Sequence, residues 1–568
     1  MPDLTGLLAL SVGPDLDPAE RRRLIARGSA ALAAVTGSPV TTTDHGDTVT
    51  VITAGSPDAQ GIPLVKGASG VGARGQTPPF AACTIVPDEI TASTDACGIK
   101  HVHLADGRNW SAVSTSSLAL STMVGRGLDV EAVSHYAMIG AYHGNETPYT
   151  GVHKLAPGTT IRLRGGRSRI TSYLPTAAPD PGSLDRRDLI TSGADAVSTA
   201  VAAALDRHPG AALELSGGLD SRMILAGIPR TQRPGRDAVT LGTPGSAEWG
   251  IAEHIARTEG LHHIQLDLGE LAGLALDDAA LLVSTAARRR DGAGNALAFG
   301  VLDWAERRFA TGPRLTGQNG EYARGFYYPG QPDWPSVRPS LVSTLGRWRI
   351  FTNDPVDPAL FAADVRDLRR AWSLDRLHQA IPRHGGRWLD ATDEYYLRER
   401  MRNWLGAEWS ASSMDRAILA PFFHPDYLTW ARSCPPGQKR GSRIFCRALA
   451  ALDDRLAALP STSGSSPACI GAPGARSALR RSATIGGKVV AKGRQRIRHE
   501  GKPAVGADAL AVSIQQLWAK DPHVLDGVAA LPFLDGAVVT DVAAGTRPAD
   551  PATIAFLVDL SVIQQTTG

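Results

Sequence analysis

Ala211-Ala-Leu-Glu-Leu-Ser-Gly-Gly-Leu-Asp-Ser-Arg-Met-Ile-Leu-Ala226 is the stretch whose reading decides the fold. A short apolar run, Ala211 to Leu215, enters a Ser216-Gly217-Gly218 turn and resumes after Leu219 with helix-forming residues from Asp220. Glycines let backbone N–H groups approach an anion, and the N-terminus of the following helix adds partial positive charge. The stretch is therefore a candidate phosphate loop. Its pattern, Ser-Gly-Gly-x-Asp-Ser over Ser216 to Ser221, is not the Gly-x-x-x-x-Gly-Lys-Ser/Thr of the Walker loop. The plainer alternative is a glycine turn with no ligand; six consecutive fitting positions and their surroundings favour the phosphate reading.

Downstream, Asp237-Ala-Val-Thr-Leu-Gly242 reads as a second strand. Pro244-Gly-Ser-Ala-Glu-Trp-Gly-Ile-Ala-Glu-His-Ile-Ala256 follows as a helix ending near Gly260, and His262-His263 opens a further strand. Ile251, Ala252, Ile255 and Ala256 share one helical face, and Glu248 lies in the first turn, where a carboxylate is favoured. Alternating strands and helices predict a parallel sheet with ligands at the carboxyl ends of its strands. His262 and His263 are read as ordinary strand-start residues.

The motif resembles the pyrophosphate loop of enzymes that split ATP between the α- and β-phosphates. The passage from Pro244 resembles asparagine synthetases. That resemblance implies nucleotide contacts from Leu215, Ser216, Gly217, Gly218, Leu219, Asp220, Ser221 and Leu241, with Asp220 holding magnesium. Some hundred residues on, Arg314-Leu-Thr-Gly-Gln-Asn-Gly-Glu-Tyr-Ala-Arg-Gly-Phe-Tyr-Tyr328 resembles the family's second phosphate-side loop. Thr316 and Gly317 would touch the nucleotide, and Glu321, in place of an aspartate, would share the metal. Gln318 stands where asparagine synthetases carry a glutamate. It cannot act as a general base, so the base must come from elsewhere or from the substrate.

The first third carries short β-type runs, Thr48 to Thr53, Lys100 to Leu104 and Thr160 to Arg164, with a helix expected near Asp129 to Ala141. Ala132 to Gly140, then Thr147 to Gly158, resemble the end of the glutaminase domain of asparagine synthetases. That class of glutaminase uses an N-terminal cysteine, and here Pro2 occupies the position. Residues 1–182 are thus expected to be a degenerate glutaminase-like (Ntn) α+β domain kept as scaffold or docking surface. Residues 183–568 would form the asparagine synthetase-like α/β ATP-pyrophosphatase domain.

A chain of 568 residues exceeds one ordinary core, so more than one domain is expected. A net charge of +3 gives no argument for nucleic acid. Cys83, Cys97, Cys434, Cys446 and Cys469 are scattered and odd in number, which argues against a disulfide framework or zinc knuckle. No basic segment precedes the Leu7–Val12 run and no eighteen apolar residues run together, so a cytoplasmic location with no membrane partner is expected.

Beyond the second loop, Asp393 to Trp404 is expected to be helical, with Tyr396, Met401 and Trp404 packing inward. Its Asp393, Glu394 and Glu399 are candidate bases by region, with a solvated charged face as the alternative. Ala420 to Leu428 resembles a packing element at the family's active-site rim. The family then supplies a lysine against pyrophosphate, but Leu459-Pro-Ser-Thr-Ser-Gly464 has none, leaving Lys439, Lys488 or Lys492. From Arg476 to Lys502 there are nine Lys/Arg and one acid, Glu500: a basic linker, or a mobile lid for an acidic peptide or phosphate.

The resemblance implies ATP- and Mg2+-dependent amide formation through an acyl-adenylate. With glutamine removed as nitrogen source, the amine is expected on the substrate itself. The loose second loop, Gln318, the missing lysine and the basic segment look most like lasso peptide cyclases. These join a precursor core peptide's N-terminal amine to its own Asp or Glu side chain, and such a cyclase implies a leader peptidase and a leader-recognition protein as partners. The alternatives are a small-molecule ligase, asparagine- or β-lactam-forming, and a non-catalytic nucleotide-binding scaffold.

Overall fold

The computed structural model describes residues 6–54, 64–66, 78–173, 186–309, 312–351, 356–412, 416–462, 464–472 and 505–567. Pro2, the expected boundary at 182/183, Lys488, Lys492 and the basic segment 476–502 lie outside the described residues.

Eleven strands of the first region form two stacked sheets. They are β1 (Gly6–Val12), β2 (Val40–His45), β3 (Val49–Ala54), β4 (Leu64–Lys66), β5 (Ala81–Val86), β6 (Glu89–Thr94), β7 (His103–Asp106), β8 (Trp110–Ser114), β9 (His153–Lys154), β10 (Thr159–Arg164) and β11 (Arg167–Ser172). One sheet runs β2-β3-β1-β8-β7-β9 and the other β11-β10-β6-β5-β4, with every pair antiparallel except β4 with β5. The mainly antiparallel expectation is met, although the Lys100–Leu104 run becomes strand only from His103.

Strand β1 is buried along its whole length because successive side chains enter different layers. Leu7 and Ala9 meet Cys83, Ile90, Ala92 and Ile161 between the sheets. Leu8 and Leu10 face the helix Pro18–Thr36, which supplies Leu24, Ala31 and Leu32. Gly28 lets that helix sit close, since a methyl there would lie 3.3 Å from Ile52 and 3.4 Å from Leu8. Burial pushes the Cys83 thiol up to about 12 and Cys97 up as well, so neither is a ready nucleophile. All five cysteines are free.

The second region holds a five-stranded parallel sheet of β12 (Ala212–Glu214), β13 (Asp237–Gly242), β14 (His262–Asp267), β15 (Arg314–Leu315) and β16 (Ile418–Leu419). Its order is β14-β13-β12-β15-β16. The chain therefore builds outward from β12 on one side, then returns to add β15 and β16 on the other. The connections after β12 and β15 diverge, and that topological switch opens a crevice at the carboxyl ends. His262 pairs with Asp237 at 2.6 Å and His263 with Thr240 at 2.8 Å, so both histidines serve their strand.

The closing helices, Ala507–Lys520 and Pro551–Thr567, pack with Leu276–Arg289 and Ala296–Arg308 into one apolar layer. That layer is continuous with the helical face of the first region. Polar contacts join the regions too: Asp291 accepts from Ser116 Oγ at 2.5 Å and Ser117 N at 2.6 Å, and Tyr136 donates to Asp559 at 2.9 Å. Among the described residues, no helix is long and apolar enough to cross a membrane.

Candidate functional site

Register places two loops side by side. Leu213 pairs with Leu315 across β12 and β15, so the chain leaves both strands at one level. The first loop is braced internally: Ser216 N donates to Ser221 Oγ at 3.0 Å, Gly218 N to Ser216 Oγ at 3.2 Å, and Ser221 Oγ to the Ser216 carbonyl at 3.2 Å. Leu215 continues the ladder through its N–H to the Val239 carbonyl, 2.8 Å, and Leu241 lies two residues further along β13. The helix Asp220–Gly227 then begins at Leu219, whose side chain cannot cap it. Its first N–H groups therefore have no side-chain acceptor, which suits an anion.

The second loop is shaped to lie against that helix start. A methyl at Gly317 would come within 2.8 Å of Ser221 N, and one at Gly320 within 2.1 Å of Asp220 Oδ1. Only glycine permits this approach. Thr316 extends the sheet by donating to the Leu419 carbonyl at 3.0 Å, and its hydroxyl accepts from Gln318 N at 3.3 Å. Asn319 adopts a left-handed φ of 77° and anchors the turn through Nδ2 to the Phe422 carbonyl, 2.9 Å. Tyr396 donates to Glu321 at 3.3 Å.

Glu321 thus lies near enough for its charge to act on Asp220, and a third charge stands with them. Arg324 Nη1 lies 2.6 Å from both Asp220 oxygens, and its Nε donates to Ser442 Oγ at 3.3 Å. Burial pushes the Asp220 carboxyl up to about 7; Arg324 opposes the rise and Glu321 adds to it. Burial works against the Arg324 charge, yet Asp220 and Glu321 outweigh it, so the guanidinium stays ionised. Among the described residues, no group of three His, Cys, Asp or Glu side chains could hold a metal. Two carboxylates are a usual protein share for magnesium, with phosphate and water completing the shell. The pair fits such an ion once Arg324 has turned away from Asp220.

The remaining charged candidates are each engaged by partners of their own, and Glu394 adjoins the second loop through Tyr322. Glu394 takes hydrogen bonds from Tyr322, from Arg398 at 2.9 Å and from Arg432 at 2.8 Å. Burial would raise its carboxyl, but the two arginines and Tyr322 outweigh it and hold it down to about 2. It is an ion-pair anchor, its carboxylate engaged by Tyr322, Arg398 and Arg432. Glu399 faces the first region, accepting from Gly144 N at 2.8 Å and lying 3.6 Å from His143 Nε2. Lys439 is buried with its Nζ 2.7 Å from Asp393, so it is not exposed to a phosphate. Gln318 is in the second loop but carries no ionisable group. The helix bearing Glu394 and Glu399 runs Trp388–Tyr395 and widens to π geometry over Tyr396–Leu405, with Tyr396 and Met401 buried.

The lysine-free stretch does reach the first loop. Fully buried Arg222 donates to the carbonyls of Leu456, Leu459 and Pro460 at 3.3, 2.7 and 2.8 Å, and Thr462 N donates to the Gly217 carbonyl at 3.3 Å. Sequence reasoning missed Arg222 and Arg324. The signal for Arg324 was a lone arginine three positions after Glu321 in an otherwise uncharged, glycine- and tyrosine-rich turn.

Residues 193–299 match the family model described as asparagine synthase. The matched span contains β12, the first loop, β13 and β14 and stops short of the second loop. No curated protein matches the chain. The match supports an asparagine synthetase-like ligase, of a kind that forms amide bonds at the expense of ATP.

Proposed function

We propose that this chain is an ATP-dependent amide ligase that closes a macrolactam in a peptide. An Asp or Glu side-chain carboxylate of the precursor is adenylated, and the peptide's N-terminal amine attacks it, as in lasso peptide cyclases. The observation that carries the ligase reading is the close packing of the second loop, through Gly317 and Gly320, against Asp220 and Ser221 at the switch point, beside an uncapped helix N-terminus. In the first step a carboxylate oxygen attacks the α-phosphorus and the bond to the β-phosphate breaks, releasing pyrophosphate. In the second the amine nitrogen attacks the acyl carbon, loses a proton, and AMP departs. Asp220 and Glu321 would hold magnesium, which supplies charge neutralisation on the phosphates. The glycine loop and helix start would bind and orient the phosphate chain, with Leu215 and Leu241 beside the base.

A peptide acceptor is favoured by the surface next to Glu321. Tyr396, which donates to Glu321, packs 4.8 Å from Phe326, and the guanidiniums of Arg349 and Arg400 lie 5.2 and 5.1 Å from that same ring. Arg400 also lies 5.2 Å from Trp404. Rings and cations so arranged suit a chain carrying a carboxylate. With Glu394 held by arginines, Asp393 paired with Lys439, Glu399 turned to the first region and Gln318 unable to ionise, the amine's proton goes to the substrate or to solvent. A free α-amine titrates near 7.7–8.0, so turnover should rise through about that pH.

ATP–pyrophosphate exchange tests the reading. Exchange dependent on a precursor peptide supports the cyclase. Exchange with free aspartate or a β-amino acid points to a small-molecule ligase, and no exchange with any substrate to a non-catalytic scaffold.

A further inference from the structure

A nucleotide's phosphate chain would bring several negative charges to a place that already holds Asp220 and Glu321. Some cation must meet them, and most of those nearby are committed. Lys439 is buried on Asp393, Arg432 and Arg398 are spent on Glu394, and Arg222 is enclosed by three carbonyls. Arg440 donates to the carbonyls of Tyr328 and Gln331. Arg324 differs from all of these. The difference is its partner, which is the phosphate-loop carboxylate itself; the pair is partly exposed, as Arg398 and Arg432 also are.

We propose that Arg324 is the cation that receives the nucleotide's terminal phosphates, and hence the released pyrophosphate, displaced from Asp220 by the ligand it binds. The proposal rests on the nucleotide reading above. Three observations carry it. A guanidinium keeps its charge and can take phosphate oxygens in pairs, whereas here Nη1 alone spans both oxygens of Asp220 and the fork is left for a better-matched anion. Arg324 also stands between two helix starts, Asp220–Gly227 and Arg443–Leu452, and neither has a side-chain cap. Ser442, at the second of these, has a left-handed φ of 61° and turns its hydroxyl to Arg324 instead of to the helix. Finally, a guanidinium on Asp220 and a magnesium ion on Asp220 exclude each other. Moving Arg324 onto phosphate resolves that conflict and adds a cation where the Leu459–Gly464 stretch has no lysine.

Isothermal titration of the full-length chain with pyrophosphate, ATP and AMP separates the possibilities. In magnesium-free buffer, Arg324→Met should weaken pyrophosphate and ATP binding by about tenfold to a hundredfold, the usual weight of a charge-assisted pair, with AMP within about twofold. Arg324→Lys should recover part of the loss. Asp220→Asn, which removes the competing carboxylate charge, should tighten pyrophosphate binding several-fold. A structural ion pair with no ligand role would not give these opposite signs. Thermal unfolding of each variant identifies any that fails to fold, and the gain expected for Asp220→Asn cannot arise from unfolding. Unchanged pyrophosphate and ATP affinity in Arg324→Met, with ATP still bound, overturns this proposal alone. A natural chain that binds neither ATP nor AMP overturns the nucleotide reading and this proposal with it.

Discussion

Asp220 and Arg324, 104 residues apart in the chain, meet with Arg324 Nη1 2.6 Å from each carboxylate oxygen. The contact joins the loop after β12 to the loop after β15, so the two halves of the candidate site form one body. Their closeness depends on residues without side chains, and that gives the first expectation.

Gly320→Ala should lower ATP–pyrophosphate exchange by about a hundredfold or more, because its methyl would lie 2.1 Å from Asp220 Oδ1 and must move that carboxylate. Gly250→Ala is the control. Gly250 sits exposed in the helix Ala247–Glu259 with nothing within 4 Å of the added methyl. It should leave exchange intact and stabilise the fold by about 0.5–1 kcal/mol. Equal exchange rates in the two variants would refute the packing argument.

Arg222→Met should both destabilise and impair. It strips a buried cation from three carbonyls, which costs about 3 kcal/mol, and it frees the turn whose Thr462 touches Gly217. Urea unfolding and exchange assays read the two effects. A variant that loses stability but keeps full exchange would remove the Leu459–Gly464 turn from the site.

Glu394→Gln addresses the acid limb of stability. The folded carboxyl sits at about 2, below its ordinary value near 4.5. Its stabilising contribution is therefore complete above pH 4.5 and is lost as pH falls toward 2. The variant should unfold at lower urea by about 3 kcal/mol at pH 7, and the gap should close between pH 4.5 and 2. If Glu394→Gln instead abolished amide formation while matching the natural chain in stability, Glu394 would stand as the base.

Arg400→Ala should raise the KM for peptide by about tenfold and leave the KM for ATP nearly unchanged, since Arg400 lies over Phe326, past the Thr316–Glu321 turn, and over Trp404. The reverse split would place that surface in nucleotide binding.

The first loop was legible because the pieces that compose it are local. Strand, glycine turn and helix occupy consecutive residues, and even its uncapped start at Leu219 can be read directly. The strand and helix from Asp237 to Glu259 were legible for the same reason. What the chain could not show was which charges meet. Glu394, Glu399 and Lys439 look alike on paper as charges near aromatic residues. Packing sends Glu394 to two arginines, Glu399 to the first region and Lys439 into a buried pair with Asp393. Arg324 was in plain view within the second loop, but its role rests on a partner more than a hundred residues earlier. Such a pairing follows from the order of β12 and β15 in the sheet, which no local pattern encodes.

The central claim is that Ser216–Ser221 and Thr316–Glu321 activate a peptide carboxylate with ATP. Its most direct test is exchange of labelled pyrophosphate into ATP, measured with a precursor peptide bearing an internal Asp or Glu, for the natural chain and for Asp220→Ala. The account predicts exchange that requires both the peptide and its carboxylate, and that falls to background in Asp220→Ala. Exchange that persists at the natural rate in Asp220→Ala, or no exchange from a folded chain with any carboxylate substrate, would contradict it.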